Sequence, residues 1–270
     1  MQMGELRIND YASIEDLNVR YIEKYLNILG NPELNDILKK KGIIKEESGL
    51  VYLTLLGTIF FAKDPQSYYP NLVIEASFSD EVYFENLNNL VLPKKSKIIK
   101  GTIMEVLEKG LDFVYDSLNE INPKFKEDAK TYPLVVVEEI IKNALIHRDY
   151  SKRTENIPIK MEIYNNCLII RNPSGNSEFA RPNPYLWRLF KEYNLIKNKE
   201  KGLDKVRSCL QDKNLPDVEV INTNKEYTAI LWLTNQKMQI NGSFVDATLS
   251  FTPLKEDLLS YAGTTSISKN

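Results

Sequence analysis

A pair of apolar segments joined by a two-residue turn places the strongest constraint on the fold of this chain. Residues 158–164 and 168–171 are rich in apolar side chains, and Asn165 and Asn166 lie between them. Asparagine tolerates the positive φ angles that tight hairpin turns require, so the two segments are expected to pair as antiparallel strands. Amphipathic helices precede and follow this hairpin. Because helices bury their apolar stripes against a sheet, the sequence predicts an α+β fold with helices on one face of a mixed, largely antiparallel sheet.

Hydrophobic periodicity and helix-breaking residues predict the remaining elements around that hairpin. The predicted helices cover residues 102–121, 134–147, 184–193 and 202–212, and the predicted strands cover residues 71–78, 217–222 and 226–233. Pro133 suits the first turn of the second helix. We expect the α/β sandwich to occupy residues 131–235, after a smaller segment over residues 1–130 and before an irregular tail over residues 236–270.

The N-terminal segment is predicted to be helical and mixed. Its predicted elements are helices at residues 13–29 and 32–41, a short wing-like strand at residues 51–54, and an apolar helix that ends at Ala62. This order resembles the end of a winged-helix module. The alternative is a small helical subdomain that packs on its neighbour, because no basic recognition helix is obvious.

Composition limits the classes of function. The chain has 35 Lys and Arg residues against 37 Asp and Glu residues. It therefore lacks the excess of basic residues that would indicate a nucleic-acid binder. Cys167 and Cys209 lie among apolar residues and are expected to be inert buried thiols. The most apolar run, residues 53–62, is far shorter than the ~20 residues of a membrane-spanning helix. Residues 1–10 lack the apolar core of a signal peptide, so we expect a cytoplasmic protein without membrane partners.

The helix predicted at residues 134–147 carries a row of polar side chains beside its apolar stripe. Glu139, Asn143 and His147 recur every four residues and therefore share one face. A glutamate can accept a proton from water, and an asparagine oxygen one turn away can ligate Mg²⁺ without adding charge. The alternative is a solvated polar face with an Asn–His hydrogen bond. His147 is the single histidine of the chain, which excludes catalytic systems that need two.

Longer strings of the sequence point to a family. The strings are YPLVVVEEIIKNALIHRDYS, IIRNPSG, RPNPYLWRLFKEYNLIKNKEKGLDKV and TLLGTIFFAKDPQSYYPN, of which NALIHRDY is the most specific. Together they resemble the RecG-C-terminal-like ATP-binding domain, a member of the GHKL (gyrase, MutL, histidine kinase) ATPase superfamily. The resemblance covers residues 13–233. It implies a Bergerat-type nucleotide fold that binds ATP and Mg²⁺, in proteins of the transcriptional-regulator type.

The resemblance implies roles for residues of the polar row and just beyond it. Glu139 takes the place of the general base of the superfamily, and Asn143 takes the place of its magnesium-binding asparagine. His147, Arg148 and Asp149 match the HRD string of the family. The guanidinium of Arg148 is a good phosphate partner, and a salt bridge to Asp149 or another acid is the alternative.

The resemblance also places two glycine boxes in this chain. Asn172 and Gly175 fall in the first box, where the side-chain oxygen of Asn172 can accept from the adenine amino group and Gly175 can admit the base close to the backbone. A plain turn is the alternative there. Gly202 is the glycine that survives in the second, phosphate-cradling box, where Glu200 would repel phosphates unless it faces away. Glu138 stands where the family usually has arginine.

Three functions are compatible with these observations. The main hypothesis is an ATP-binding regulatory protein, with slow Mg-dependent hydrolysis, that acts as a homodimer or with a DNA-binding partner region. The alternatives are a degenerate, nucleotide-free interaction module and a winged-helix-type DNA binder. A helicase motor is not expected, because the sequence contains no G-x-x-x-x-G-K-[ST] loop. In the family an AlbA-type domain typically precedes this one, so we expect a truncated or split relative, or a fragment. The apolar helix at residues 102–121 is a candidate dimer interface, or else it covers the sheet.

Overall fold

The computed structural model of the chain describes residues 4–28, 30–83, 92–123, 133–173, 183–196, 202–223 and 225–233. Those residues form an α+β fold with two sheets. The strands are β1 (Ile8–Ser13), β2 (Ile44–Glu47), β3 (Leu50–Thr54), β4 (Ile74–Phe78), β5 (Lys95–Ile99), β6 (Ile159–Ile163), β7 (Cys167–Pro173), β8 (Glu219–Asn222) and β9 (Glu226–Trp232). The helices are α1 (Val19–Leu26), α2 (Leu34–Lys40), α3 (Leu55–Phe61), α4 (Ile103–Ile121), α5 (Leu134–His147), α6 (Pro184–Glu192) and α7 (Gly202–Asp212).

The first sheet belongs to the N-terminal part of the chain. Its antiparallel strands lie in the order β1-β3-β2, with α1 and α2 between β1 and β2 in the chain and α3 directly after β3. The single helix expected over residues 13–29 is wrong at its start. Ser13 ends β1 and caps a short 3₁₀ turn through a reciprocal pair with Asp16, and Asn18 then caps α1. Local side-chain capping therefore divides the segment that periodicity alone presents as continuous.

The junction of β3 and α3 is tightly closed. The buried Thr54 hydroxyl donates to the carbonyl oxygen of Gly42 at 2.6 Å and accepts from the backbone N–H of Gly57 at 3.0 Å. Gly57 lies so close to Ile43 that a Cβ atom would overlap the carbonyl oxygen of that residue. Every side chain of α3 is buried, so this apolar helix forms the centre of the N-terminal part.

The second sheet carries the predicted hairpin. Its strands lie in the order β5-β4-β6-β7-β9-β8, and the pairing of β4 with β6 is parallel, whereas the other pairs are antiparallel. The predicted antiparallel pairing of β6 with β7 is confirmed, with Ile163 opposite Leu168. Apolar side chains of one sheet face share a core with α4 and α5, which confirms the predicted α+β class with helices against a mixed, largely antiparallel sheet.

The sheet extends across the boundary expected at residue 130. β4 and β5 precede that residue, and they continue the sheet beyond β6. The physical reason is the register: Ile74 and Phe78 of β4 align with Ile159 and Ile163 of β6, so apolar side chains from both halves line one face. Residues 236–270, predicted to be an irregular tail, lie outside the described residues.

Helix α4 covers the sheet, so its apolar side is not the expected dimer interface. Val106, Leu107, Val114 and Leu118 are buried within the same core as the strands. A reciprocal capping pair, in which Glu105 accepts from the backbone N–H of Thr102, fixes the start of this helix. The apolar stripe of the helix is thus buried against the sheet, which was the alternative to a dimer interface.

The cysteines and the helix lengths bear on two further expectations. Cys167 is buried, as predicted, in a small apolar cluster with Ile169, Ile230 and Trp232, whereas Cys209 is only half-buried. Within the described ranges no helix is both long and apolar enough to span a bilayer.

Candidate functional site

Helix α5 positions the two side chains that the sequence singles out most clearly. Val137, Ile140, Ile141, Ala144 and Leu145 are buried and fix the helix against the core. Glu139 and Asn143 lie beside this stripe, and the Glu139 side chain is 13% exposed. The helix therefore holds a carboxylate and a carboxamide one turn apart at the margin of the core.

The start of α7 lies directly on this pair. A Cβ atom at Gly202 would approach Glu139 Oε1 to 2.5 Å and both amide atoms of Asn143 to 3.1 Å. Three of the predicted site residues are thus brought together from two helices. The first N–H groups of a helix have no intrahelical partner and carry a partial positive charge, so the start of α7 places such groups beside a carboxylate–carboxamide pair.

Lys205 adds a cation that sequence reasoning missed. Its Nζ atom lies 3.9 Å from Glu139 Oε2, and its side chain is 38% exposed. The signal was available, because Lys205 follows Gly202 by three residues and a helix places such residues on one face. Glu139 therefore faces a positive charge on the helix that Gly202 begins.

Two asparagine residues of the predicted site have amide atoms without hydrogen-bond partners among the described residues. Asn143 Nδ2 is buried and unpartnered, and so are both amide atoms of Asn172, which is 1% exposed. Asn172 shares the face of β7 that carries Leu168 and Ile170, the face packed against α5. Buried amides are nearly always hydrogen-bonded, so these groups have capacity for a ligand.

Glu138, the residue before Glu139, has a partner of its own in the same helix. It forms an i,i+4 ion pair with Lys142, at 2.5 Å, and the buried Lys142 Nζ also donates to the carbonyl oxygen of Leu195 at 2.7 Å. The residue that departs from the family pattern thus contacts a lysine within its own helix. The Lys142–Leu195 bond also holds the chain close to α5 just ahead of residues 197–201.

Arg148 is not brought to the Glu139–Asn143–Gly202 group by any described contact. It is 3% exposed, and its Nη2 atom donates to the carbonyl oxygens of Thr154 at 3.1 Å and Ile157 at 2.6 Å. Burial lowers the pKa of Arg148 to about 10. The buried side chain therefore places the expected phosphate partner inside the core.

The alternative, a salt bridge between Arg148 and Asp149, is not among the described contacts, in which Asp149 has other partners. The Asp149 carboxylate accepts from Arg153 at 3.0 Å and from the backbone N–H of Ser151 at 2.9 Å. His147 ends α5 and is half-buried. Gly175 and Glu200, the other residues of the predicted glycine boxes, lie outside the described residues.

Comparison with known proteins adds one structural similarity. No family model and no curated protein matches the sequence. The fold is similar to the crystal structure of the DIP2311 protein from Corynebacterium diphtheriae, with a TM-score of 0.57 and 19% identity over 86% of this chain. The match covers 47% of that protein, so this chain spans about half of its length. At this identity the similarity concerns the fold alone.

Proposed function

We propose that this chain is a nucleotide-binding regulatory protein that takes ATP together with Mg²⁺. The observation that carries the proposal is the contact of Gly202, at the start of α7, with Glu139 and Asn143 of α5. A helix end that attracts phosphate oxygens is thereby adjacent to oxygen atoms that suit a hard cation. The sequence resemblance to the RecG-C-terminal-like domain leads independently to the same three residues.

The residues present fit a magnesium ion that is completed by a nucleotide. Asn143 offers a neutral oxygen and Glu139 a carboxylate, and the described residues contain no cluster of three or more acidic, cysteine or histidine side chains. Mg²⁺ is usually bound by one or two protein oxygens with waters and substrate phosphates. In this arrangement Asn143 holds the metal, while the start of α7 and Lys205 bind phosphate.

Hydrolysis, where it occurs, would depend on Glu139. Its carboxylate can accept the proton of an attacking water, a role that typically contributes ~10²–10⁴-fold in rate. Lys205 lies 3.9 Å from this carboxylate and would compete for it until phosphate draws the lysine away. We accordingly propose a slow ATPase in which nucleotide binding precedes activation of the base.

Asn172 supports recognition of a base on the sheet. Its buried amide has an oxygen that can accept from the adenine amino group and a nitrogen that can donate to a ring nitrogen. A polar side chain buried without a partner costs stability, which a bound base would recover. Participation of Gly175 remains a prediction from the sequence.

The DNA-binding alternative is supported less by the charges of the N-terminal part. Its chain order contains two helices, a strand and the apolar helix in the predicted succession, with β1 and β2 in addition. Lys39, at the end of α2, pairs with Glu46 at 2.5 Å, and Lys41 pairs with Glu192 at 2.5 Å. Because phosphate neutralisation supplies most non-specific affinity, lysines already paired with carboxylates favour a packing module here. Regulation of transcription in the cytoplasm is part of the proposal and derives from the sequence resemblance.

Thermal unfolding with and without millimolar Mg-ATP tests the proposal. A ligand that binds the native state raises the melting temperature in proportion to RT ln(1 + [L]/Kd). We expect wild type to shift, Asn143→Ala to lose the magnesium-dependent part, and Glu139→Ala to bind while losing hydrolysis. Asn35→Ala, which changes an exposed asparagine on α2, is the matched control and should behave as wild type.

The competing outcome identifies the nucleotide-free alternative. If wild type shows no shift with Mg-ATP, Mg-ADP or Mg²⁺ alone, the nucleotide proposal is wrong for the chain as it stands. Glu200→Gly then tests whether the altered glycine box blocks the site. A shift restored by that change would show a site disabled by one side chain, and no shift would leave the interaction module.

A further inference from the structure

A buried positive charge lies in the core at the end of α5. Arg148 is 3% exposed, and two of its three guanidinium nitrogens, Nε and Nη1, are buried without a hydrogen-bond partner among the described residues. Arginine stays protonated at neutral pH even with the pKa that burial gives this side chain, about 10. A positively charged guanidinium is therefore buried with only one of its three nitrogens, Nη2, hydrogen-bonded.

The groups that contact Arg148 directly supply dipoles, whereas the charge of Asp149 acts on it without a direct contact. Thr154 and Ile157 offer carbonyl oxygens, and the ring of Tyr150 lies 5.7 Å from the guanidinium carbon. The hydroxyl of that tyrosine donates elsewhere, to Leu145. Asp149, the acid beside it in the chain, is bound by Arg153. An isolated buried charge is costly unless an opposite charge accompanies it.

A small cavity adjoins this guanidinium. Its volume is about 30 Å³, and its lining includes Arg148, Gln66, Gly101, Tyr150 and Ile159. A water needs about 10–15 Å³ of such space, so the cavity has room for a larger monatomic ion.

The other polar side chains of the lining, Gln66 and Tyr150, have already donated their hydrogens. Gln66 donates to the carbonyl oxygens of Leu72 and Gly101, each at 3.1 Å, and accepts from the N–H of Gly101 at 2.8 Å. The guanidinium is thus the group of this lining with N–H donors still to give.

We propose that this cavity binds a small monovalent anion, chloride, against the guanidinium of Arg148. The ion supplies an opposite charge in direct contact with the guanidinium, which no described side chain does, and it fits the volume of the cavity. Glu139, Asn143 and Gly202 do not line this cavity, so the proposal is independent of the nucleotide site. It makes the cavity a structural ion site that stabilises the turn after α5.

Anion-specific stability tests the proposal on the unmodified protein. Thermal unfolding is compared in sodium gluconate, sodium chloride and sodium bromide at one ionic strength, without nucleotide. We expect chloride and bromide to raise the melting temperature by about 2–4 °C over gluconate, increasing with the logarithm of halide concentration. Equal melting temperatures in the three salts would overturn the proposal and leave ordered water in the cavity.

A matched pair of variants and a diffraction experiment locate the effect. Val106 lines the cavity, whereas Val114, two turns along the same helix, is buried outside it. Val106→Ile adds a methyl group to the lining while it leaves Arg148 in the sequence, and it should abolish the halide response, whereas Val114→Ile should retain it. Bromide-soaked crystals of wild type should show an anomalous peak beside Arg148. A halide response without that peak, or one that survives Val106→Ile, would also refute the site.

Discussion

Gly57 and Gly202 both occupy the first turns of helices where a larger side chain has no room, yet their surroundings differ in kind. Gly57 faces the backbone carbonyl of Ile43, whereas Gly202 faces the side chains of Glu139 and Asn143. Around Gly57 the hydrogen bonds of Thr54 are complete. Around Gly202 an amide nitrogen of Asn143 is buried and unpartnered. The comparison teaches that one glycine is required by backbone packing, whereas the other lies against the polar side chains of the proposed nucleotide site.

Gly57→Ala should have the largest effect on stability. The carbonyl that the new methyl would meet belongs to the backbone and is fixed by β2 and by Thr54, so α3 must shift. We expect a loss of about 3 kcal/mol or more in the free energy of unfolding, measured with denaturant, with or without nucleotide. Gly49→Ala, with φ of +78° and nothing within 4 Å, is the control and should lose only about 1 kcal/mol. Equal losses in the two variants would contradict the packing role.

Gly202→Ala should separate binding from stability. The new methyl meets flexible side-chain ends, and alanine favours a helix over glycine by about 1 kcal/mol, so stability should change little. Binding of Mg-ATP should weaken more than tenfold by calorimetry, because the methyl occupies the space beside Glu139 and Asn143. Wild-type affinity in this variant would show that Gly202 is another packing glycine and would remove the contrast with Gly57.

Asn172→Leu should sharpen the distinction between unpartnered polar groups and satisfied ones. Replacing a buried amide without partners by an apolar side chain of similar size relieves its desolvation cost. We expect the unliganded protein to gain about 1 kcal/mol in denaturant unfolding while its Mg-ATP-dependent thermal shift disappears. A large loss of stability instead would mean that Asn172 is bonded in the folded protein and has a structural role.

Glu5 provides a small effect with a defined pH dependence. Its buried carboxylate accepts from the backbone N–H groups of Tyr185 and Leu186, at 3.0 and 3.1 Å, and so caps α6. Burial raises the pKa of Glu5 above 4.5, although these hydrogen bonds oppose the rise. The folded state therefore holds the proton more tightly than the unfolded chain does. The contribution of this group is complete below its ordinary pKa and is lost as the pH rises through the raised value.

Glu5→Gln removes that titration. Relative to this variant, wild type should become less stable as the pH rises from the ordinary pKa of the carboxyl through its raised value in the folded protein. Denaturant unfolding of both proteins at a series of pH values measures the difference. A difference that grows in favour of wild type over the same range would mean that the helix cap outweighs the cost of burial.

The sequence predicted the elements whose signals are local. The β6–β7 hairpin follows from its Asn-Asn turn, and α5 follows from its apolar stripe and from Pro133. β1 was not predicted, because its sequence INDYAS lacks regular alternation and its strand conformation depends on pairing with β3. The position of β4 beside β6 was also not predicted, because no local pattern specifies a partner so far along the chain.

The candidate site divides in the same way. Spacing along one helix was sufficient to select Glu139 and Asn143. Gly202 was selected because it is the glycine that survives in the second glycine box of the family resemblance. The spacing of Lys205 from Gly202 was readable in the sequence, whereas its contact with Glu139 depends on the position of α7 over α5. Arg148 lines a cavity together with Gln66 and Gly101, which approach it only in the folded chain. The sequence therefore predicted a phosphate partner, whereas the folded chain buries this side chain.

The parallel pairing of β4 with β6 affects the order in which the strands of the second sheet can form. Ile74 lies opposite Ile159, 85 positions further on, so this edge closes late and slowly compared with the hairpin beside it. Until then the backbone of β6 is an open template for other chains, with Met161 and Ile163 still uncovered. A fragment that starts at residue 131 would keep the helix with Glu139 and Asn143 but lose that cover. We expect it to aggregate on synthesis, because the edge of β6 then has no partner strand.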